Sequence, residues 1–237
     1  MNALVKAKID DLRSGCIVSC QALPNEPLYG SNHMAAMALA AEQGGAVAIR
    51  ANTPVDIQAI KRCSRLPVIG LYKREYEGFD VYITPTMKEV REVIEAGSDF
   101  VAIDATRQPR PDGNSLADLV MSIRAEFPHT PIVADVSTYD EGEAAMDLGV
   151  DLVSTTLSGY TLYSMRSEHV DIDLVARLAR LGRVPILAEG RIWDPSECVA
   201  CLQAGAHAVV IGTAVTRPQE ITKRFVHAIR QFQEEQS

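Results

Sequence analysis

Apolar and polar positions fall into a repeating unit along this chain: a short apolar run, a turn, then a segment whose apolar residues recur with helical spacing. Eight such units follow one another. The apolar runs at 16–23, 46–51, 67–73, 100–106, 131–137, 152–158, 184–189 and 208–213 are predicted strands. Predicted helices follow at 32–43, 54–63, 87–96, 116–126, 139–148, 172–181, 195–204 and 219–233. The runs are rich in Val and Ile, as expected of strands buried on both faces of a parallel sheet. Glycines stand where helices are expected to stop (Gly44, Gly97, Gly149, Gly182, Gly205), and Pro67, Pro131 and Pro185 stand where strands begin. Residues 2–15, with Leu4, Ile9 and Leu12 among Lys and Asp, predict an extra amphipathic helix capping one end. Eight strand–helix units argue for an α/β fold, a single (β/α)₈ TIM barrel. No domain boundary interrupts it, so 1–237 reads as one domain, helix about 2–15 and barrel about 16–237. A doubly wound open sheet is the alternative, but no G-x-G-x-x-G follows the first strand.

Composition narrows the function. The 237 residues are 47% hydrophobic but only 5% aromatic, which suits a core of Ala, Val, Ile and Leu. With 31 acidic against 23 basic residues the net charge is −8, and no basic run exceeds two residues. A nucleic-acid or acidic-membrane partner is therefore not expected. The longest apolar run, 34–41, is too short to span a bilayer. A small-molecule ligand remains. Five cysteines, an odd number, without a signal peptide in front, predict a reducing cytoplasm. Cys198 and Cys201 form a lone C-x-x-C inside a predicted helix, where packing outweighs zinc or redox chemistry.

In this fold the active site is built from the C-terminal strand ends and the loops after them. Those ends carry Gln21, Arg50, Lys73, Asp104, Asp135 and Glu189, with Arg217 a little beyond the last. One lysine, two arginines and three carboxylates at one mouth is a costly arrangement for structure alone. Lys73, lifted from water beside Arg50, is expected to have a lowered pKa and so to offer a neutral amine as a base. Glu189, directly before Gly190, is placed to handle a proton on a substrate oxygen. Asp135 is expected either to bond sugar hydroxyls or to cap the helix after Thr138. Arg217 either clamps a phosphate or carboxylate or caps the last helix, and Asp104 has no assigned use. Between 184 and 217 two apolar runs each end in a glycine and a polar residue, Gly190-Arg191 and Gly212-Thr213. Loops after the last two barrel strands form a common phosphate site, where a missing Cβ lets backbone N–H groups approach the ligand. The five histidines (33, 129, 169, 207, 227) lie on helices or their flanks rather than at strand ends, so no metal site is expected.

Several of these segments carry a family likeness. Ser19-Cys20-Gln21, Ala48-Ile49-Arg50-Ala51-Asn52, Gly70-Leu71-Tyr72-Lys73-Arg74, Thr155-Thr156-Leu157-Ser158-Gly159-Tyr160-Thr161, Ala188-Glu189-Gly190-Arg191 and Gly212-Thr213-Ala214-Val215-Thr216-Arg217-Pro218 occur in order over most of the chain. Together they resemble the N-acetylmannosamine-6-phosphate 2-epimerases. The resemblance implies a (β/α)₈ barrel interconverting N-acetylmannosamine 6-phosphate and N-acetylglucosamine 6-phosphate in sialic-acid or amino-sugar catabolism, with no metal, nucleotide or other cofactor. It assigns Lys73 as the catalytic lysine and Glu189 as the catalytic carboxylate, with Gln21, Arg50, Asp135 and Arg217 contacting the sugar or its phosphate. The expected chemistry is removal of the C2 proton from the open-chain aldehyde by Lys73, enolate stabilisation by Arg50, and return of a proton to the other face. Tyr72 and Thr213 depart from the family's usual Val and Gly or Ser. The family's dimeric habit makes a homodimer the expected assembly. The last helix, with Phe225, Val226, Ile229 and Phe232 on one stripe, either packs on its own barrel or forms that contact. Two rival readings stay open: a Schiff-base aldolase or lyase using Lys73, and a non-catalytic barrel that binds sugar phosphates.

Overall fold

In the computed structural model, which describes residues 3–236, the eight apolar runs form eight parallel strands closed into one barrel. In chain order the elements are α1 (Ala3–Asp10), β1 (Cys16–Cys20), α2 (Ser31–Gln43), β2 (Ala48–Asn52), α3 (Pro54–Cys63), β3 (Val68–Leu71), α4 (Met87–Glu95), β4 (Phe100–Asp104), α5 (Leu116–Glu126) and β5 (Ile132–Asp135). They continue with α6 (Tyr139–Asp147), β6 (Leu152–Ser154), α7 (Ile172–Arg180), β7 (Ile186–Glu189), α8 (Pro195–Gln203), β8 (Ala208–Ile211), α9 (Thr213–Thr216) and α10 (Pro218–Glu235). Each strand pairs with its chain neighbour, and β8 closes on β1 through Ile17↔Val210. No helix among the described residues is long and apolar enough to cross a membrane.

The helices start where the sequence offers caps. At Thr86, Ser115, Thr138 and Asp194 the side chain accepts a backbone N–H of the first turn while Glu89, Asp118, Glu141 or Glu197 reaches back. Such boxes satisfy donors that the first turn leaves without partners. Asp135 plays no part in the cap at Thr138, so the capping alternative for it falls. Strand period two then sorts the strand residues. Ile49, Val101, Ile132, Val153 and Val209 face the helices. Ile17, Ala48, Ile69, Phe100, Val133, Leu152 and Leu187 fill the interior. From below, Val5, Ile9 and Leu12 plug the barrel floor, as expected of a capping helix. Phe100 is wholly buried there, and cutting such a ring to Ala typically costs about 3–5 kcal/mol.

Some expectations need correction. The strands are shorter than their apolar runs: six end before the run does, as the chain leaves the ladder at the mouth, whereas β2 and β7 each start two residues late and β2 continues to Asn52. The first helix ends at Asp10, not 15, and Leu4 is exposed while Val5 points inward; Asn2 lies outside the described residues. At the end of α2 it is Gly45, at φ +88°, and not Gly44, at −78°, that reverses the chain. The largest departure is at the C-terminus. The sequence left open whether the last helix packs on its own barrel, and it does not: α10 buries no residue. It is tethered through α9 and through Arg224, stacked 4.9 Å from the Trp193 ring.

Candidate active site

Arg50 comes off β2 into the barrel with about 1% of its surface exposed. Its Nη1 and Nη2 donate to Asp135 Oδ1 and Oδ2 at 3.1 and 2.5 Å, and Nη1 lies 3.2 Å from Glu189 Oε2. This fork is the strong, directional form of a guanidinium–carboxylate pair. Burial works against the Arg50 charge, but Asp135 and Glu189 outweigh it and hold the guanidinium protonated. Thr156, just past β6, places Oγ1 2.7 Å from Asp135 Oδ1, 2.9 Å from Glu189 Oε2 and 2.8 Å from Ser154 Oγ. Ser154 donates to Glu189 Oε2 at 3.2 Å. Thr155 Oγ1 fixes the Glu189 backbone, accepting its N–H and donating to its carbonyl. Burial pushes the Glu189 carboxyl up, Arg50 opposes and Asp135 adds to the rise; the result lies above the ordinary carboxylate value.

Lys73 lies two residues past β3. Its N–H donates to Asn52 Oδ1 at 2.8 Å, and its backbone bridges to Ile83 where the β3 loop folds back. That fold removes the ammonium from bulk water. Burial first and Arg50 second lower its pKa to about 8, with Arg217 adding to the drop and Glu189 opposing it. The depression expected from the sequence is present, with the cause expected. Because β3 and β7 stand on opposite sides of the eight-strand ring, Lys73 and Glu189 enter the mouth from opposite walls.

Between them lies a cavity of about 900 Å³. Lys73, Glu189, Gln21, Arg50, Arg217, Gly190, Arg191, Gly212 and Thr213 all line it, whereas Asp135 does not. Asp135 is fully buried behind Arg50, where it anchors the guanidinium. Arg217 sits at the N-cap position of α10, but its side chain makes no capping hydrogen bond; its Nε instead pairs with Glu26 in the β1 loop at 3.1 Å. Gly190 and Arg191 both hold positive φ, 107° and 56°, so the chain turns sharply out of β7. The Arg191 side chain is held by two carbonyls, its Nη1 and Nε donating to those of Ser158 and His169 at 2.7 and 3.0 Å. Asp104 is buried, with Thr106 bonding Oδ1 and none of the described residues bonding Oδ2; burial lifts its pKa to about 6, with Thr106 opposing.

Sequence reasoning missed Thr156, Asn52, Tyr82 and Glu26. Thr156 and Asn52 sat inside quoted motifs, but nothing in spacing says that a hydroxyl will land between two carboxylates. Tyr82 lines the cavity from the returning β3 loop, and burial, then Asp104 and Asp135, hold its phenol above the ordinary value. Among the described residues no group of three or more His, Cys, Asp or Glu is arranged to hold a metal. His207 bonds the Ile9 carbonyl at 2.8 Å beneath the barrel. Cys198 and Cys201 are free thiols packed on α8.

A closed (β/α)₈ barrel whose mouth sets a lysine of lowered pKa opposite a buried carboxyl of raised pKa defines an acid–base centre for a small polar substrate. Comparison with known proteins then narrows the class. The sequence pattern of the family described as "Putative N-acetylmannosamine-6-phosphate epimerase" matches residues 34–231. A protein described as a 2-epimerase of this kind from Caldanaerobacter subterraneus subsp. tengcongensis is 57% identical over 94% of each chain. One from Listeria monocytogenes serovar 1/2a is 47% identical over 96% of this chain and 97% of its own. The solved N-acetylmannosamine-6-phosphate 2-epimerase of Clostridium perfringens superposes with a TM-score of 0.90 at 48% identity, covering 93% of this chain and 95% of that one. The chain belongs to the N-acetylmannosamine-6-phosphate epimerase family. A designated aldolase, QR15, at 18% identity and a TM-score of 0.62, shares the fold alone.

Proposed function

We propose that this protein interconverts N-acetylmannosamine 6-phosphate and N-acetylglucosamine 6-phosphate, serving sialic-acid or amino-sugar catabolism. The reaction takes a proton from C2 and returns one to the opposite face. The observation that carries this reading is the placement of Lys73 and Glu189 on opposite walls of one cavity, each shifted toward the protonation state the chemistry needs. In the open-chain aldehyde the C2 hydrogen is acidic because it lies α to C1=O. Neutral Lys73 removes it, and Glu189 in its protonated form supplies a proton from the other wall. A positioned acid or base of this kind is typically worth ~10²–10⁴-fold. The sequence suggested Arg50 as the enolate's partner. With two carboxylates already on its guanidinium, Arg50 is better suited to hold Glu189 in place. The enolate charge falls instead to the new Lys73 ammonium and to Arg217. Gln21 is placed to bond the sugar. Gly190, Arg191, Gly212 and Thr213 receive the phosphate through backbone N–H groups, Arg191 included, since its side chain is engaged elsewhere.

The same reading makes the protein a cytoplasmic homodimer. The free thiols of Cys16, Cys20, Cys63, Cys198 and Cys201 suit a reducing compartment. Phe225, Ile229 and Phe232 are 69%, 58% and 63% exposed on α10, a stripe too apolar to leave in water. The barrel wall between α8 and α2 lacks its covering helix and exposes Val199 and Leu39. A second copy's α10 fits that gap, and a two-fold axis lets each copy fill the other's.

The test is proton NMR of N-acetylmannosamine 6-phosphate in D₂O with chelator-treated protein. Appearance of N-acetylglucosamine 6-phosphate with deuterium at C2 is expected. Absence of both conversion and exchange would overturn the reading, and borohydride trapping of substrate on Lys73 would mark a Schiff-base enzyme instead.

A further inference from the structure

One side chain at the centre of the site has more potential acceptors than protons. Thr156 Oγ1 lies within hydrogen-bond distance of Asp135 Oδ1 (2.7 Å), Glu189 Oε2 (2.9 Å) and Ser154 Oγ (2.8 Å), yet a hydroxyl carries a single hydrogen. It can donate to one carboxylate at a time. We propose that Thr156 is a positioning residue that works as a two-way hydrogen-bond switch, donating to Asp135 when Glu189 is protonated and to Glu189 when it is ionised. This inference rests on the reading above in which Glu189 exchanges a proton with C2.

The proton count closes without any further donor. Glu189 Oε1 makes no hydrogen bond to the described residues and is the oxygen left for the substrate. While Oε1 carries the proton, Oε2 bears little charge, and the Thr156 hydrogen turns to the more negative Asp135. When Oε1 gives its proton to C2, Oε2 becomes a full carboxylate oxygen. The Thr156 hydrogen then swings about its C–O bond to Oε2, while Asp135 keeps both Arg50 prongs. Asp135 never needs to bind a proton. Neither protonation state of Glu189 strands a buried acceptor, the usual penalty for changing charge in a closed site. The hydroxyl is also among the groups that favour ionised Glu189, so its loss lifts that carboxyl further.

The test uses full-length Thr156→Val and Thr156→Ser, with Glu189→Gln as the control, read by kcat, KM and the pH profile of epimer formation. Valine keeps the shape and removes the hydroxyl. Expected for Thr156→Val is a kcat loss of about tenfold or more, a fraction of what a whole acid or base supplies. KM should stay within about twofold, and the acidic limb of kcat/KM should move to higher pH. Thr156→Ser should restore both. A valine variant with wild-type kcat and profile, while Glu189→Gln forms no epimer, overturns the switch and leaves Glu189 its role. A serine variant as poor as valine also overturns it, since the methyl would then be what matters. If Glu189→Gln epimerises at the wild-type rate, the switch falls together with the role of Glu189. Should the valine variant fail to fold, Thr156→Ala is read by the same criteria.

Discussion

The pH profile separates a two-base reaction from a one-base reaction, because the two differ in sign. The perturbation is pH itself, acting on Lys73, whose pKa is lowered to about 8 by burial and then by Arg50. If Lys73 alone works both faces, activity follows the neutral amine. The neutral fraction is about 1% at pH 6, about half at pH 8 and nearly all at pH 10, so kcat/KM would climb roughly a hundredfold and level off. With Glu189 as the second group, the productive enzyme holds neutral Lys73 and protonated Glu189. That form carries the same number of protons as the ammonium–carboxylate form. Its share is therefore constant between the two pKa values and falls on either side. Above pH 8 activity drops about tenfold per pH unit, roughly fiftyfold between pH 8 and 10.

The assay is initial epimer formation at substrate concentrations well below KM, from pH 6 to 10, in both directions. The two-base form predicts the same upper limb from either epimer, since the reverse reaction starts from the other arrangement of the same protons. The substrate phosphate titrates near ~6 and contributes to the lower limb, so the upper limb is diagnostic. A rise through pH 8 to a plateau would refute the two-base assignment. An inflection near 10.5, the ordinary lysine value, would refute the argument that the mouth desolvates Lys73.

Three other outcomes are expected. Glu189→Gln should exchange the C2 hydrogen of N-acetylmannosamine 6-phosphate with D₂O through Lys73 yet form no epimer, whereas Lys73→Ala should do neither while still binding; exchange in Lys73→Ala would remove Lys73 as the base. Arg50→Met leaves Asp135 buried without its partner and should cost about 3–5 kcal/mol in urea unfolding, a large share of a typical 5–15. Adding Asp135→Asn should recover part of that loss, and a single-mutant loss under about 1 kcal/mol would contradict the buried pair's importance. Ile229→Glu together with Phe225→Glu should turn a dimer into monomers in sedimentation velocity; an unchanged sedimentation coefficient would place the assembly contact elsewhere.

What was legible in the sequence follows from how far each signal reaches. Period-two and helical patterns are local, and strand ends are where they change, so Arg50, Lys73 and Glu189 could be picked out and set on one mouth. Asp135 was picked out by the same rule, but its role was not, because the rule gives a strand end and not a depth. One layer of difference puts it behind Arg50 and out of the cavity. Thr156 and Glu26 are partners of residues 33 and 191 positions away, respectively, and no local pattern carries such distances. The last helix was misplaced by neither periodicity nor propensity. An apolar stripe states that a face favours being covered and leaves open what covers it.

The shifts at Lys73 and Glu189 have a common origin. Burial is the largest cause of each, lowering the base and raising the acid, so one desolvated mouth brings two dissimilar groups toward a common pH. In the two-base form the share of enzyme in the productive protonation state grows about tenfold for each unit by which the two pKa values approach. Arg50 alone would act on both groups in the wrong balance, for it lowers Lys73 usefully but pulls Glu189 back toward the ordinary value. Asp135, locked on the far side of Arg50, raises Glu189 and blunts that pull without entering the cavity. On the two-base reading the buried ion pair acts less through contact with substrate than through its pull on Lys73 and Glu189. A neutral residue in place of Arg50 would strand Asp135, and one in place of Asp135 would leave Arg50 free to hold Glu189 ionised.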